Sequence, residues 1–205
     1  SQGDQTVTLR VTDARGATAI TTQTVSVGSG GGGGNSLSNP ENPRFAYEDV
    51  NQDGQYQSSI DNQLTRSDLI GTYSTGAGNA LVVPDSVGAL DTNTDIDWSA
   101  DGMFVGVDVD DQSSVSFDSG SGPLTVDGNR LDSLGPITAT GDTVDVAGVT
   151  ANNYQNGNGN GNDIQFTATG GTVDASNAQV AGADNITLDG TGVTATSATL
   201  DNYQN

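Results

Sequence analysis

Six residues, Asp49 to Gly54, read DVNQDG and set side-chain oxygens at alternate positions ahead of a glycine. Asp49, Asn51 and Asp53 can turn those oxygens toward one centre. The main-chain carbonyl of Gln55 adds another ligand, and Gly54 permits the sharp bend. Hard oxygen donors in this pattern point to Ca2+. The closing position is irregular: Ile60 stands where a bidentate acid is expected, and Asp61 follows one residue later as its substitute. A second group of acids, Asp95, Asp97, Asp101, Asp108, Asp110 and Asp111, has the residue type for acid–base work on a glycosidic bond. Its supporting cast is thin. The chain has no His and no Lys, Trp98 is its only Trp, and Arg130 is the only cation between residues 93 and 205. These acids therefore read as solvated turns, and no enzyme activity is expected. Asn185, Ile186 and Thr187 form the only N-x-S/T sequon, so Asn185 is the expected glycan acceptor.

The DVNQDG run resembles the opening of an EF-hand or dockerin-like calcium loop. The resemblance implies a Ca2+ ion held by Asp49, Asn51, Asp53, Gln55 and Asp61, and it departs from the pattern at Ile60.

The elements that must position these residues have little apolar material. Leu, Ile, Val and Phe number 41 of 205 residues, and the net charge is -21. That combination borders on the composition of disordered chains, so the order of residues must supply the fold. There are 24 Asp but only 2 Glu, with 5 Arg and no Lys. Asp competes for backbone amides and disfavours helices, which points to an all-β chain. The carboxylate surface repels nucleic acid and anionic lipid, so neither is an expected partner. Its self-repulsion is relieved only where salt shortens the screening length to ~3 Å, near 1 M. This high-Asp, Lys-free balance resembles that of extremely halophilic archaea, and implies a salt-adapted secreted protein. No Cys is present, and no apolar run approaches the ~18 residues of a membrane span. The chain opens on Ser, which reads as a processed or partial sequence.

Four segments follow from texture. Residues 1–27 hold two alternating strands around the DARG turn, with Val7, Leu9 and Val11 on one and Val25 and Val27 on the other. The VTLRVTDARGATA portion resembles the last two strands of a PKD (immunoglobulin-like) domain, whose earlier strands have no counterpart here. Residues 28–35 are a Gly-rich linker. Residues 36–92 are a lead-in segment with the calcium-like loop. Within it, LTRSDLIGTY suggests one helical turn capped by Ser67, and ALVVPDSVGAL suggests a buried strand broken at Pro84.

Residues 93–205 repeat. From Ile137, apolar residues fall at offsets 7, 9, 12 and 14, at Val144, Val146, Val149 and Ala151. Phe166 gives Val173, Ala175, Ala178 and Val180, and Ile186 gives Val193, Ala195, Ala198 and Leu200. Phe117 and Ile96 start two further, less complete copies. A period near twenty with Gly, Asn and Asp at the turns is a solenoid signature. The expected fold is a right-handed parallel β-helix preceded by the PKD-like hairpin. Phe117, Ile137, Phe166 and Ile186 are expected in one internal column, and Leu124, Val144, Val173 and Val193 in another. The NYQNGNGNGN stretch at 153–162 reads as a loop leaving the stack.

With the PKD-like strands, this architecture resembles the stalks of haloarchaeal cell-surface and pilus-associated proteins. The expected function is a structural subunit of an extracellular filament or adhesin. Its expected partners are further copies of itself, other surface proteins or surface glycans, with assembly through the hairpin strands and the ends of the coil stack. The competing expectation is a carbohydrate-binding or polysaccharide-processing β-helix module of a larger secreted protein.

Overall fold

Two antiparallel strands, β1 (Gly3–Thr12) and β2 (Thr18–Val27), pair in unbroken register from Gly3 opposite Val27 to Thr12 opposite Thr18. The computed structural model describes residues 3–12, 18–27, 37, 39–91, 93–153, 163–182 and 185–202. The DARG turn and most of the 153–162 stretch lie outside them. The chain divides into two compact units, Ser1–Gly32 and Gly33–Asn205, with the break inside the glycine run.

In the second unit, β3 (Ala46–Asp49) and β4 (Asn62–Leu64) are followed by β5 (Thr72–Ser74), β6 (Ala80–Val83) and β7 (Leu90–Asp91). From β5 onward every coil contributes one short strand to each of three sheets, and successive coils pair in parallel. The first sheet stacks β5, Ile96–Ser99, Val115–Asp118, Ile137–Gly141, Ile164–Ala168 and Ile186–Asp189. The second stacks β6, Met103–Val105, Leu124–Val126, Val144–Asp145, Thr172–Asp174 and Gly192–Thr194. The third stacks β7, Val109–Gln112, Arg130–Ser133, Thr150–Asn153, Gln179–Gly182 and Thr199–Asn202. The protein is a parallel β-solenoid. Its stack begins near Thr72, about one coil earlier than the repeat frame from residue 93 reaches. The β5–β7 coil escapes that frame because both its corners, at residues 75–79 and 84–89, are longer, from one aligned column residue to the next, than those of the repeats.

Two of the three internal columns follow the repeat frame. Met103, Leu124, Val144, Val173 and Val193 align through the second sheet. Leu90, Val109, Leu131, Ala151, Val180 and Leu200 align through the third. The first sheet corrects the expectation. Ile137 lies beside Val115 and Ile164, whereas Phe117 lies beside Trp98 and Ala139, and Phe166 beside Ala139 and Leu188. Two inward columns therefore run side by side: Ile96, Val115, Ile137, Ile164 and Ile186, then Trp98, Phe117, Ala139, Phe166 and Leu188. The slip is two residues, which leaves every side chain on the same face of a period-2 strand. The coils holding Phe117 and Phe166 have longer corners before the second sheet, which absorb the difference.

The interior is one continuous apolar column from Ala46 and Leu64 to Val180. Each coil's few inward residues are sealed by the coils on either side, which stack ~4.8 Å away. Trp98 is fully buried and donates its indole N–H to the Leu69 carbonyl at 3.0 Å. Its ring lies 5.1 Å from that of Phe117. The other face of the starting coil is covered in the second sheet alone, where β3 runs antiparallel to β6 and β4 antiparallel to β3. Pro84 ends β6 as expected, and a 3-10 turn at Asp85–Val87 follows. The turn Arg66–Leu69 is also 3-10, but Thr65 rather than Ser67 caps it. The Thr65 N–H donates to the Asp68 carboxylate at 2.7 Å, and Ser67 lies inside the turn.

Candidate functional site

The chain leaves β3 at Asp49 and returns to β4 just after Asp61, so the intervening loop is held at both ends by one antiparallel pair. All four residues of β3 are buried: Ala46 packs on the main column and Tyr47 in a second cluster with Leu37, Ala80, Val82 and Phe104. Asp49 is fully buried. Its Oδ2 accepts the Gly54 N–H at 2.8 Å, a bond that Gly54 makes from a left-handed backbone (φ 75). Its Oδ1 is shielded from solvent and makes no hydrogen bond. Burial raises the Asp49 carboxyl above the usual range and the charges of Asp61 and Asp53 raise it further, while the backbone amides of Gly54 and Gln52 oppose the rise.

Asp61 closes the loop from inside. It is 6% exposed, and its two oxygens accept the Val50 N–H at 2.9 Å and the Gln57 N–H at 2.6 Å. Ile60, the regular closing position, is 44% exposed and faces away. Asp53 is only partly buried, and turns its carboxylate to the Gln55 N–H at 2.8 Å and the Asn51 side-chain amide at 3.0 Å. Asn51 and Gln55 are exposed. The structure thus brings Asp49 and Asp61 inward together and leaves Asn51, Asp53 and Gln55 on the rim. Among the described residues, no three His, Cys, Asp or Glu side chains are gathered closely enough to grip a metal ion as they stand.

Neighbouring groups hold the loop in place. The Tyr47 hydroxyl donates to the Gly54 carbonyl at 3.0 Å, and its ring meets Tyr56 edge-on, which in turn meets Phe45 at 4.7 Å. Burial, then the charges of Asp49 and Glu41, push the Tyr47 phenol well above its ordinary value. Gln52, at φ 55, donates its side-chain amide to the carbonyls of Gly78 (2.7 Å) and Asp101 (2.9 Å), pinning the loop to the turns of the coils below. Glu48 was not legible as a functional residue. It is 8% exposed and accepts from Asn79 (2.7 Å), Gly76 and Asn62 (2.9 Å). Burial alone would raise its carboxyl, but these three donors together hold it below the usual range. The only sequence signal was its adjacency to Asp49.

The second acidic group does not form one constellation. Asp97 lies on the first sheet and Asp110 on the third. Asp101 Oδ1 accepts the Ser121 hydroxyl at 2.8 Å, and Asp108 Oδ1 accepts the Arg130 N–H at 2.9 Å. Asp95, Asp97 and Asp108 are exposed at corners and outer faces, and Asp111 belongs to the same strand as Asp110. Arg130 forms an ion pair with Asp132, which is fully buried and also accepts the Asn152 side-chain amide at 2.8 Å. Asn185 is exposed at the corner before Ile186, with its side-chain amide donating to Asp163 at 3.0 Å.

At the last coil the internal columns come to the surface. Val193 is 47% and Leu200 45% exposed, while Val173 and Val180 directly beneath them are buried. Among the described residues, no helix is long and apolar enough to cross a membrane. No protein-family model, curated protein or solved structure gives a significant match to this chain.

Proposed function

We propose that this protein is a non-catalytic structural module of an extracellular, salt-adapted surface fibre or adhesin, in which coil-to-coil strand pairing is the assembling contact. The observation that carries this reading is the coil stack: each described coil seals its neighbours through three parallel sheets and one apolar column, and Val193 and Leu200, in the coil that is paired on one side among the described residues, are half exposed. A surface with strand amides spaced for a parallel partner and an apolar centre fits another β-solenoid coil in both respects. At the opposite end, β3 and β4 cover β6 in the second sheet alone, and β5 and β7 are the end strands of the other two sheets among the described residues. The PKD-like reading of the hairpin and the haloarchaeal origin enter here as supporting proposals from sequence. A glycan on Asn185 belongs to the same proposal, and an unmodified peptide mass across this site in native material removes it.

A carbohydrate-binding module draws less support. The large aromatics of the stack, Trp98, Phe117 and Phe166, are spent inside the column. Phe45 and Tyr56 are the partly exposed ring pair left for a sugar face.

Sedimentation of the full chain in molar salt tests the assembly. Association that rises with concentration and disappears in Val193→Asp and Leu200→Asp supports it. A 20.7 kDa monomer at all concentrations, for the wild type, defeats it.

A further inference from the structure

We propose that the loop from Asp49 to Asp61 binds one Ca2+ ion, and that this ion locks the antiparallel seal on the first coil. The site rests on one unsatisfied atom. Asp49 Oδ1 is buried and makes no hydrogen bond, and the charges of Asp61 and Asp53 act on this carboxyl. A buried acceptor left without a partner costs about 1–3 kcal/mol, and more if charged. A cation beside Oδ1 supplies the missing partner. Among the described residues, no ion pair reaches the loop; Arg130 pairs with Asp132, on the third sheet.

The chemistry of the donors selects the ion. Asp49, Asp53 and Asp61 offer carboxylate oxygens, Asn51 an amide oxygen and Gln55 a main-chain carbonyl, with no nitrogen or sulfur ligand. Hard, all-oxygen sets take Ca2+ or Mg2+, and an irregular loop that supplies most ligands itself favours the larger, less geometrically demanding Ca2+. Asp49 and Asp61 are already inward. Asp53 must rotate away from the Asn51 and Gln57 side-chain N–H donors, which releases the Asn51 side chain to turn its oxygen inward. Both amides sit on the loop's outer part and can turn to water.

The consequence is mechanical. An ion between Asp49 and Asp61 joins the last residue of β3 to the residue before β4. Through Gly54, Tyr47 and Gln52 it is tied to the coil turns at Gly78 and Asp101. Calcium then holds β4 on β3, and both against the first coil's strand of the second sheet.

The test uses the full chain, stripped with chelator and held in ~1 M KCl, where loose attraction to the acidic surface is screened. Calorimetric titration with CaCl2 is paired with Tb3+ luminescence excited through tyrosine, since Tyr47 and Tyr56 line the loop. The expected result is one saturable site, weakened at least ten-fold in Asp49→Asn and in Asp61→Asn and unchanged in Asp97→Asn. Calcium should also raise the melting temperature of the wild type and of Asp97→Asn, but not of Asp49→Asn. If Asp49→Asn does not fold, Asp53→Ala is read in its place and should show the same loss. Heat that fails to saturate, equal binding in wild type and loop variants, or equal affinity for Mg2+ overturns the proposal.

Discussion

Leu131 and Leu200 are the same residue in the same column of the third sheet, yet Leu131 is fully buried and Leu200 is 45% exposed. Val173 and Val193 repeat the contrast on the second sheet, at 0% and 47%. Nothing in the two coils' own sequences separates them. The Val173 coil is covered on both sides, and the Val193 coil on one. In a solenoid, burial is therefore a property of the neighbour, and stability is a sum of interfaces between coils rather than of coils. This is how a chain with so few large apolar residues sustains a core.

The contrast breaks most visibly under truncation. Leu131→Ala should cost about 2–5 kcal/mol, because it opens a cavity in a column that cannot collapse along its axis. Leu200→Ala should cost under about 1 kcal/mol, since most of that side chain's transfer free energy is never gained. Urea unfolding of both variants at low protein concentration reads the difference. Repeating the pair at high concentration sharpens it: if coil ends associate, the cost at Leu200 climbs toward that at Leu131.

Glycines carry the second prediction. A Cβ on Gly135 would stand 1.8 Å from the Ser113 carbonyl oxygen of the preceding coil, so Ala there must push two backbones apart. Gly192, in the last coil, meets only the Thr172 methyl at 3.3 Å, and has no coil above it among the described residues. Gly135→Ala should destabilise by about 1–3 kcal/mol. Gly192→Ala should lie within about 0.5 kcal/mol of the wild type, as an ordinary surface change does. Equal losses would mean that the last coil is as tightly confined as the interior.

The same dependence on neighbours decided what could be read from sequence. The second and third columns were legible because the offsets from Val144 to Ala151 and from Val173 to Val180 vary little, their corners being of fixed length. The first column was misread at Phe117 and Phe166, since corner length is set by turn chemistry that a twenty-residue period averages away. The β5–β7 coil was missed for that reason too. In the loop, the alternation of Asp49, Asn51 and Asp53 was visible, and so was Asp61 as the substitute for Ile60. The sequence could not say that Asp49 would be buried with an idle oxygen, or that Glu48, Asn62, Asn79 and Gln52 would fasten the surrounding turns. Those contacts join residues 14 to 49 positions apart, and no local pattern encodes them.

The smallest predicted effect is electrostatic, and again sets interior against end. Asp145 and Asp174 face each other directly across adjacent coils of the second sheet, while the next coil presents Thr194 to Asp174. Like charges directly opposite on neighbouring strands destabilise a sheet by a few tenths to about 1 kcal/mol. Each Asp also caps its own corner, since Asp145 Oδ1 accepts the Ala147 N–H at 3.1 Å and Asp174 Oδ1 the Ser176 N–H at 2.9 Å. Asn keeps that acceptor and loses the charge. Asp174→Asn should therefore stabilise the protein by about 0.2–1 kcal/mol in ~0.1 M salt, and the gain should fade near 1 M as the screening length drops to ~3 Å. Thr194→Asp extends the acidic row into the last coil, and should show the opposite sign with the same salt dependence. A gain from Asp174→Asn that persists undiminished in molar salt would place its origin in packing rather than charge, and the acidic ladders would then have no part in fitting this fold to high salt.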